Sequence, residues 1–459
     1  MPPEAAIRPA PSAPNLACDP ALFTDLYELT MMQAYVEAGM AETATFSLFV
    51  RRLPKRRNYL LACGLDDVLS YLESLRFSED SLEYLASLGQ FSARFLAWLR
   101  DFRFTGDVYA VPEGTPVFAN EPIVEITAPI AEAQLAETFV ANQIHLQTML
   151  ASKAARVVAA ARGRPVVDFG ARRMHGTDAA LKAARAFHIA GVAATSNVLA
   201  GRIYGLPVTG TMAHSFIQSH ESEAEAFRAF VGIYPETVLL VDTYDTLRGV
   251  RRVCALAREL GDGFRVRAVR LDSGDLAALS REARAILDEA GLGHVGIFAS
   301  SSLDEDAIDA LLRAEAPITG FGVGTKMGVS EDAPSLDIVY KLCTYAGLGR
   351  VKLSTGKPVL PGRKQVFRSE DGGRAAGDVI ARADESLKGR PLLQLVMRGG
   401  QRTDAGRDTL DDARARAADE LAKLPGALRG LAPTDPPYPV EVSARLRADQ
   451  EDVIRRVRG

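Results

Sequence analysis

Cysteine is scarce in this chain of 459 residues: there are four, Cys18, Cys63, Cys254 and Cys343, far apart and without the Cys-x-x-Cys or Cys/His spacing of a metal site. Their spacing excludes a disulfide-stapled scaffold and a structural zinc, and suggests a reducing cytoplasm. An excess of one charge is lacking too. With 54 Lys and Arg against 58 Asp and Glu, the formal charge of -4 gives no global reason to bind nucleic acid or an acidic membrane. No run of about 18 apolar residues occurs, so no membrane span is expected. The opening MPPEAAIRPAPSAPNLACDP lacks the basic start and apolar core of a signal peptide, and residues 1–18 read as a flexible leader.

What is present is an ordinary globular composition, 47% hydrophobic and 24% charged, on a chain long enough for two or three domains. From Phe23, FTDLYELTMMQAYVEAGM has apolar residues at helical spacing, with Thr24 or Asp25 as the cap and Gly39 as the stop. TATFSLFV reads as a strand, YLLACGLDDVLSYLESL as a helix, and residues 79–101 as two shorter helices. GDVYAVPEGTPVFANEPIVEITAP breaks into short β runs, which makes residues 19–130 an α+β domain. After a long helical pattern, seven short apolar runs alternate with helices: PVVDFG, VAATS, LPVTGT, TVLLVD, RVRAVRLDSG, HVGIFASS and PITGFGVG. That alternation predicts an irregular (β/α) barrel over residues 131–335. Residues 336–459 return to strands (DIVYKLCTY, GRVKLS, GRKQVFR) and charge-mixed helices, and are expected to pack back on the first domain.

In parallel α/β architectures the loops beyond the strands' carboxyl ends carry the chemistry. Polar residues concentrate there in this chain. One of only six histidines, His214, lies in TGTMAHSFIQSH just after a strand candidate. A lone histidine is more often structural than catalytic, but this one has neighbours of matching chemistry. TGFGVGTKMG offers Gly322, Gly324 and Thr325 to an anion such as phosphate, although a tight turn explains glycines equally well. RLDSGD places Asp272 and Asp275 in one turn, suited to ribose hydroxyls or magnesium, with an N-cap as the plainer role for one of them. Arg270 shares a side of its strand with Asp272. DFGARR supplies Phe169, Arg172 and Arg173, a stacking ring and two forked donors for a flat acid. VRRLPKRRNYL is either a phosphate patch or a solvated basic loop.

Together LFTDLYELTM, DFGARRMHG, GTMAHSFI, RLDSGDL, GFGVGT, PGRKQVFR and the late LPxxLRxLxPxxxPYPV pattern make the chain resemble the nicotinate phosphoribosyltransferases from Leu22 onward. The resemblance implies that nicotinate and 5-phosphoribosyl 1-diphosphate become nicotinate mononucleotide and diphosphate, with magnesium, and with ATP hydrolysis coupled through a phosphohistidine at His214. It further implies that Tyr27 and Phe169 stack on the pyridine ring, that Thr211 and Arg270 contact nicotinate, and that Gly322, Gly324 and Thr325 hold the 5-phosphate. Arg172 and Asp272 are implied pocket members. The tyrosine would come from a second subunit, so a homodimer with shared sites is expected. The TMAH form of the histidine motif resembles the nicotinate rather than the nicotinamide enzyme. FASSSLDED is serine-rich where relatives carry Gly, Asn or Asp, and no ligand contact is assigned to Ser300, Ser301 or Ser302. A barrel enzyme of another chemistry leaves the histidine motif unexplained, and a non-catalytic relative would have no need of it.

Overall fold

The computed structural model describes residues 19–353 and 359–459; the expected leader lies outside them. Thr43–Val50 forms a strand with every residue after Thr43 buried, because it sits inside a seven-stranded sheet. On one side it pairs antiparallel with Pro122–Pro129, and on the other with Ile338–Tyr345. Gln394–Arg398 pairs with Asp107–Ala110 in the same sheet, so strands from both ends of the chain share one set of ladders. A second, four-stranded sheet is built from Lys364–Asp371, Arg374–Arg382, Arg390–Pro391 and Val440–Val442. Its buried Arg368 donates to Asp378, and the Tyr438 hydroxyl donates to the same carboxylate at 2.9 Å. Both aromatic neighbours of that guanidinium, Phe118 and Tyr438, lie within 6.0 Å of it.

Helices bridge to the next unit. The expected long helix is two, Ile130–Leu135 and Glu137–Ala160. Lys153 and Arg156 on the second pair with Glu305, and Lys153 also reaches Asp332. The basic stretch of the first domain joins that network: Arg57 forks onto Asp332 and Arg56 onto Asp306. With Arg52 on Asp337, these guanidiniums are neutralised within the chain, and the phosphate-patch reading of VRRLPKRRNYL falls.

That next unit is a curled parallel sheet of six strands in the order Ala194–Thr195, Val166–Asp168, Gly320–Val323, Gly296–Ala299, Ala268–Leu271, Val238–Leu240. This is a curled α/β half-barrel, consistent with the irregular barrel-like domain that the alternation predicted. The remaining run, LPVTGT, makes a single parallel bridge among the described residues, Val208 to Thr195. Pro207 lacks the N–H a ladder needs, and the chain leaves the sheet there toward the helix His214–Gln218. Two other expectations also shift. YLLACGLDDVLSYLESL begins as the short strand Leu60–Leu61 and becomes helical only at Leu65. GRVKLS contributes no strand among its described residues beyond Gly349.

The first helix runs Leu26–Glu37 with Asp25 in the N-cap position, and Gly39 follows it at φ +64°. Asp25 makes no capping bond; its carboxylate accepts from the Thr138 hydroxyl at 2.7 Å. Glu28 is buried beside it, accepting from the Thr138 N–H at 3.0 Å and from Thr24. Burial raises the Glu28 carboxyl to about 7 against the pull of those donors. The folded protein therefore holds a proton that the unfolded chain, with an ordinary glutamate, has released. Stability from this group is complete below the usual glutamate range and declines as pH rises through about 7. Glu28→Gln should remove that decline, a differential on the order of 1–3 kcal/mol between pH 5 and 8. Melting curves of the two proteins that stay parallel across that range would contradict it.

Candidate active site

Six chain segments place polar side chains at the carboxyl ends of the parallel strands. Asp168 closes the strand Val166–Asp168 and is fully buried. Its two oxygens accept from Gly170 N at 2.8 Å and Thr195 Oγ1 at 2.7 Å, which ties two strand ends together. Burial raises its carboxyl despite those bonds. Phe169 follows, its N–H donating to Val323 O at 2.8 Å, and its ring lies 5.4 Å from the Arg270 guanidinium carbon. That packing explains Gly322. A Cβ at this strand position would come within 2.6 Å of the Phe169 ring, so the glycine makes room for an aromatic. Gly324 lies beyond the strand, and Thr325 after it is exposed.

Arg270 is the best-connected group. Its Nε donates to Ser300 Oγ at 2.8 Å, Nη1 to Thr211 Oγ1 at 2.7 Å and Met212 O at 3.3 Å, and Nη2 to Asp272 Oδ1 at 2.9 Å. An arginine has five N–H donors. Only one, on Nη2, is left for a ligand, so this residue cannot present a free fork to a carboxylate without giving up a partner. Thr211 and the remaining N–H form a smaller, pre-set pair of contacts. Ser300, given no role from the sequence, donates in turn to Asp272 Oδ1. Burial would raise the Asp272 carboxyl, but the bonds from Ser300 and Arg270 outweigh it and hold it below the ordinary aspartate value.

His214 opens its short helix with a side chain 40% exposed. Nδ1 is 3.0 Å from Thr243 Oγ1, while Nε2 is 3.6 Å from Asp272 Oδ2 and 4.0 Å from Asp242 Oδ1. The Asp242 side chain is 1% exposed. Its Oδ2 accepts from Asp272 N at 2.8 Å and Ser273 Oγ at 2.6 Å, but its buried Oδ1 has no hydrogen-bond partner among the described residues and lies 4.0 Å from the imidazole. Asp242 and Thr243 were not singled out in the sequence. Asp275, by contrast, is the plain N-cap of Leu276–Glu289, accepting from Ala277 N and Ala278 N, so RLDSGD does not offer two free carboxylates.

Arg172 and Arg173 form an exposed turn of 3-10 helix and make no ion pair among the described residues. A cleft of about 620 Å³ opens beside Arg172, walled by Met174, Ser196, Val198 and Leu199. Tyr27 lies on the first helix, 45% exposed, away from the strand ends by sequence and by element. Partial burial and the nearby Glu137 and Glu28 carboxylates raise its phenol above the usual tyrosine value. No group of three or more His, Cys, Asp or Glu side chains able to cage a metal occurs among the described residues.

Residues 22–145 match the nicotinate phosphoribosyltransferase N-terminal domain family, and residues 165–360 the nicotinate phosphoribosyltransferase family. A nicotinate phosphoribosyltransferase of Mycobacterium tuberculosis is 60% identical over 426 residues, covering 93% of this chain and 92% of its own. That of Bacillus subtilis is 41% identical over 384 residues, covering 82% and 78%. The crystal structure of human nicotinic acid phosphoribosyltransferase superposes with a TM-score of 0.84 at 28% identity, over 94% of this chain and 99% of the other.

Proposed function

The chain belongs to the nicotinate phosphoribosyltransferase family, and from that membership we propose that it moves the phosphoribosyl group of 5-phosphoribosyl 1-diphosphate onto the ring nitrogen of nicotinate, with ATP hydrolysis coupled through a phosphohistidine at His214. The observation that carries the histidine role is the imidazole set between Thr243 on one nitrogen and two carboxylates near the other. Donation from Nδ1–H to Thr243 leaves the lone pair on Nε2. That lone pair attacks the γ-phosphorus of ATP, the bond from phosphorus to the ADP oxygen breaks, and a phosphorus–nitrogen bond forms. Nε2 becomes cationic in the step, and Asp272 and the unpartnered oxygen of Asp242 stabilise that charge. Water later cleaves the same bond and releases phosphate.

In the transfer itself the protein positions and stabilises. Nicotinate lies against Phe169, its carboxylate taking the Thr211 hydroxyl and the spare N–H of Arg270. Thr325, with Gly324 beside it, takes the 5-phosphate, and Arg172 faces the pocket from the neighbouring strand end. The ribose ring develops positive charge as diphosphate departs, and Asp272 is the carboxylate at hand. Magnesium would be held mainly by the substrate's diphosphate, since no three-ligand protein cage occurs among the described residues, and would supply shielding of the leaving charge.

Tyr27 enters the same scheme from a second copy. Support comes from two exposed apolar sets, Leu26 and Tyr27 on the first helix, and Val198 (72% exposed) with Leu199 beside the cleft at Arg172. Tyr27→Ala should weaken nicotinate binding by about tenfold with little change in melting temperature, because the residue is 45% exposed in its own subunit. Unchanged nicotinate affinity would contradict it. The test of the function is mononucleotide formation from phosphoribosyl diphosphate and magnesium, with nicotinate or nicotinamide, each with and without ATP. Product from nicotinate, increased by ATP, is expected; product from nicotinamide alone, or none, would overturn the reading.

A further inference from the structure

Ser300 is 2% exposed at the end of the strand Gly296–Ala299, and its N–H donates to Leu271 O at 2.9 Å, so its backbone is held by the ladder. Its hydroxyl faces two ways. Oγ accepts from Arg270 Nε at 2.8 Å and donates to Asp272 Oδ1, the same oxygen that Arg270 Nη2 reaches at 2.9 Å. Three side chains from two adjacent strands thus close a ring. The rest of the site hangs on the outer edges of that ring: Arg270 Nη1 holds Thr211, and Asp272 Oδ2 points to His214 Nε2.

We propose that Ser300 is a positioning residue for the reaction, whose one hydroxyl fixes the Arg270 guanidinium on the nicotinate side and the Asp272 carboxylate on the histidine side in a single arrangement. The inference rests on the function proposed above. An arginine and a carboxylate left alone favour a parallel two-bond fork. Serine prevents that fork by taking Nε for itself and capping Oδ1. Without the hydroxyl, Nε and Nη2 turn together onto Asp272, which draws Nη1 off Thr211 and swings Oδ2 away from the imidazole. The aspartate end torsion is soft, so little resists the swing. The next two residues cannot substitute: Ser301 and Ser302 are exposed, at φ +97° and +43°, and lead the chain away from the strand.

Ser300→Ala, Asp272→Asn and the double variant test this by calorimetric nicotinate binding and by the separate effects on kcat and KM. Ser300→Ala should raise the nicotinate Kd and KM about tenfold, the loss of one hydrogen bond to a charged group. In the Asp272→Asn background the same change should cost less than about threefold, because the group through which Ser300 acts has lost its charge. Ser300→Thr, which keeps the hydroxyl, should recover most of the binding. A folded Ser300→Ala protein with unchanged nicotinate affinity, or an equal loss in both backgrounds, would overturn the inference. Should the alanine variant fail to fold, Ser300→Cys keeps the volume with a weak donor and is read by the same two comparisons. Native protein that binds no nicotinate would overturn the proposed substrate, and this inference with it.

Discussion

His214→Ala should lose all ATP-dependent labelling of the protein, a fall of at least about 100-fold to background, and with it the stimulation of mononucleotide formation by ATP. The phosphate removed by the substitution should be the acid-labile, base-stable kind that a phosphorus–nitrogen bond gives. The unstimulated transfer should remain, because Arg270, Thr211 and Phe169 do not depend on the imidazole for their partners. Folding should also be spared: the side chain is 40% exposed, and its hydrogen bond is to the hydroxyl of Thr243. Quantifying bound phosphate after incubation with labelled ATP, alongside mononucleotide formation with and without ATP, separates the two roles. Acid-labile phosphate that persists in the alanine protein would place the phosphorylated residue elsewhere.

Why His214 could be found from the sequence at all is a matter of position. Strands buried on both faces can carry polar residues only at their ends, so a histidine just beyond an apolar run stands out. Arg270 and Asp272 were legible for the same reason, two residues apart on one side of a strand that ends between them. Asp242 and Thr243 end a strand too, but an aspartate before a threonine and a second aspartate reads as a helix cap. Asp245 is in fact that cap, and only the fold shows that Asp242 turns the other way, to the imidazole. Ser300 carries no charge and sits in a serine run, so nothing in its type distinguished it from Ser301 and Ser302. Gly322 is another case. Its presence invited a phosphate, and only the fold shows that the ring of Phe169, 153 positions earlier, needs the space.

The late motifs divide similarly. PGRKQVFR and the PYPV pattern are distinctive, yet they meet each other and not the site: Arg368 from the first and Tyr438 from the second share Asp378. Lys364 of the first pairs with the buried Glu125 of the opposite domain at 2.9 Å. A buried charge keeps its partners because losing one leaves the other unpaired at a cost of several kcal/mol, which is reason enough for a motif. The strand RAAGDVIAR, Arg374–Arg382, escaped notice because its charges and glycine mask the alternation, although Ala375, Ile380 and Ala381 are buried.

Arg270→Lys should raise the nicotinate KM by roughly 100-fold while leaving the KM for phosphoribosyl diphosphate within about threefold. Lysine keeps the charge, so any simple ion-pair role would survive the change. What it cannot keep is geometry. Four bonds leave the guanidinium toward Ser300, Thr211, Met212 O and Asp272, and an ammonium on a flexible stem has three donors at one point. It can satisfy Asp272 or reach Thr211, not both, and each lost charge-assisted bond is worth about 1.5–3 kcal/mol. The flat cation over Phe169 goes as well, and with it the contact that orients the ring. Phosphoribosyl diphosphate, proposed to bind at Thr325 on another strand end, should notice little. Steady-state kinetics with each substrate varied in turn would show the split, and a lysine protein with the native KM for nicotinate would reduce Arg270 to a source of charge.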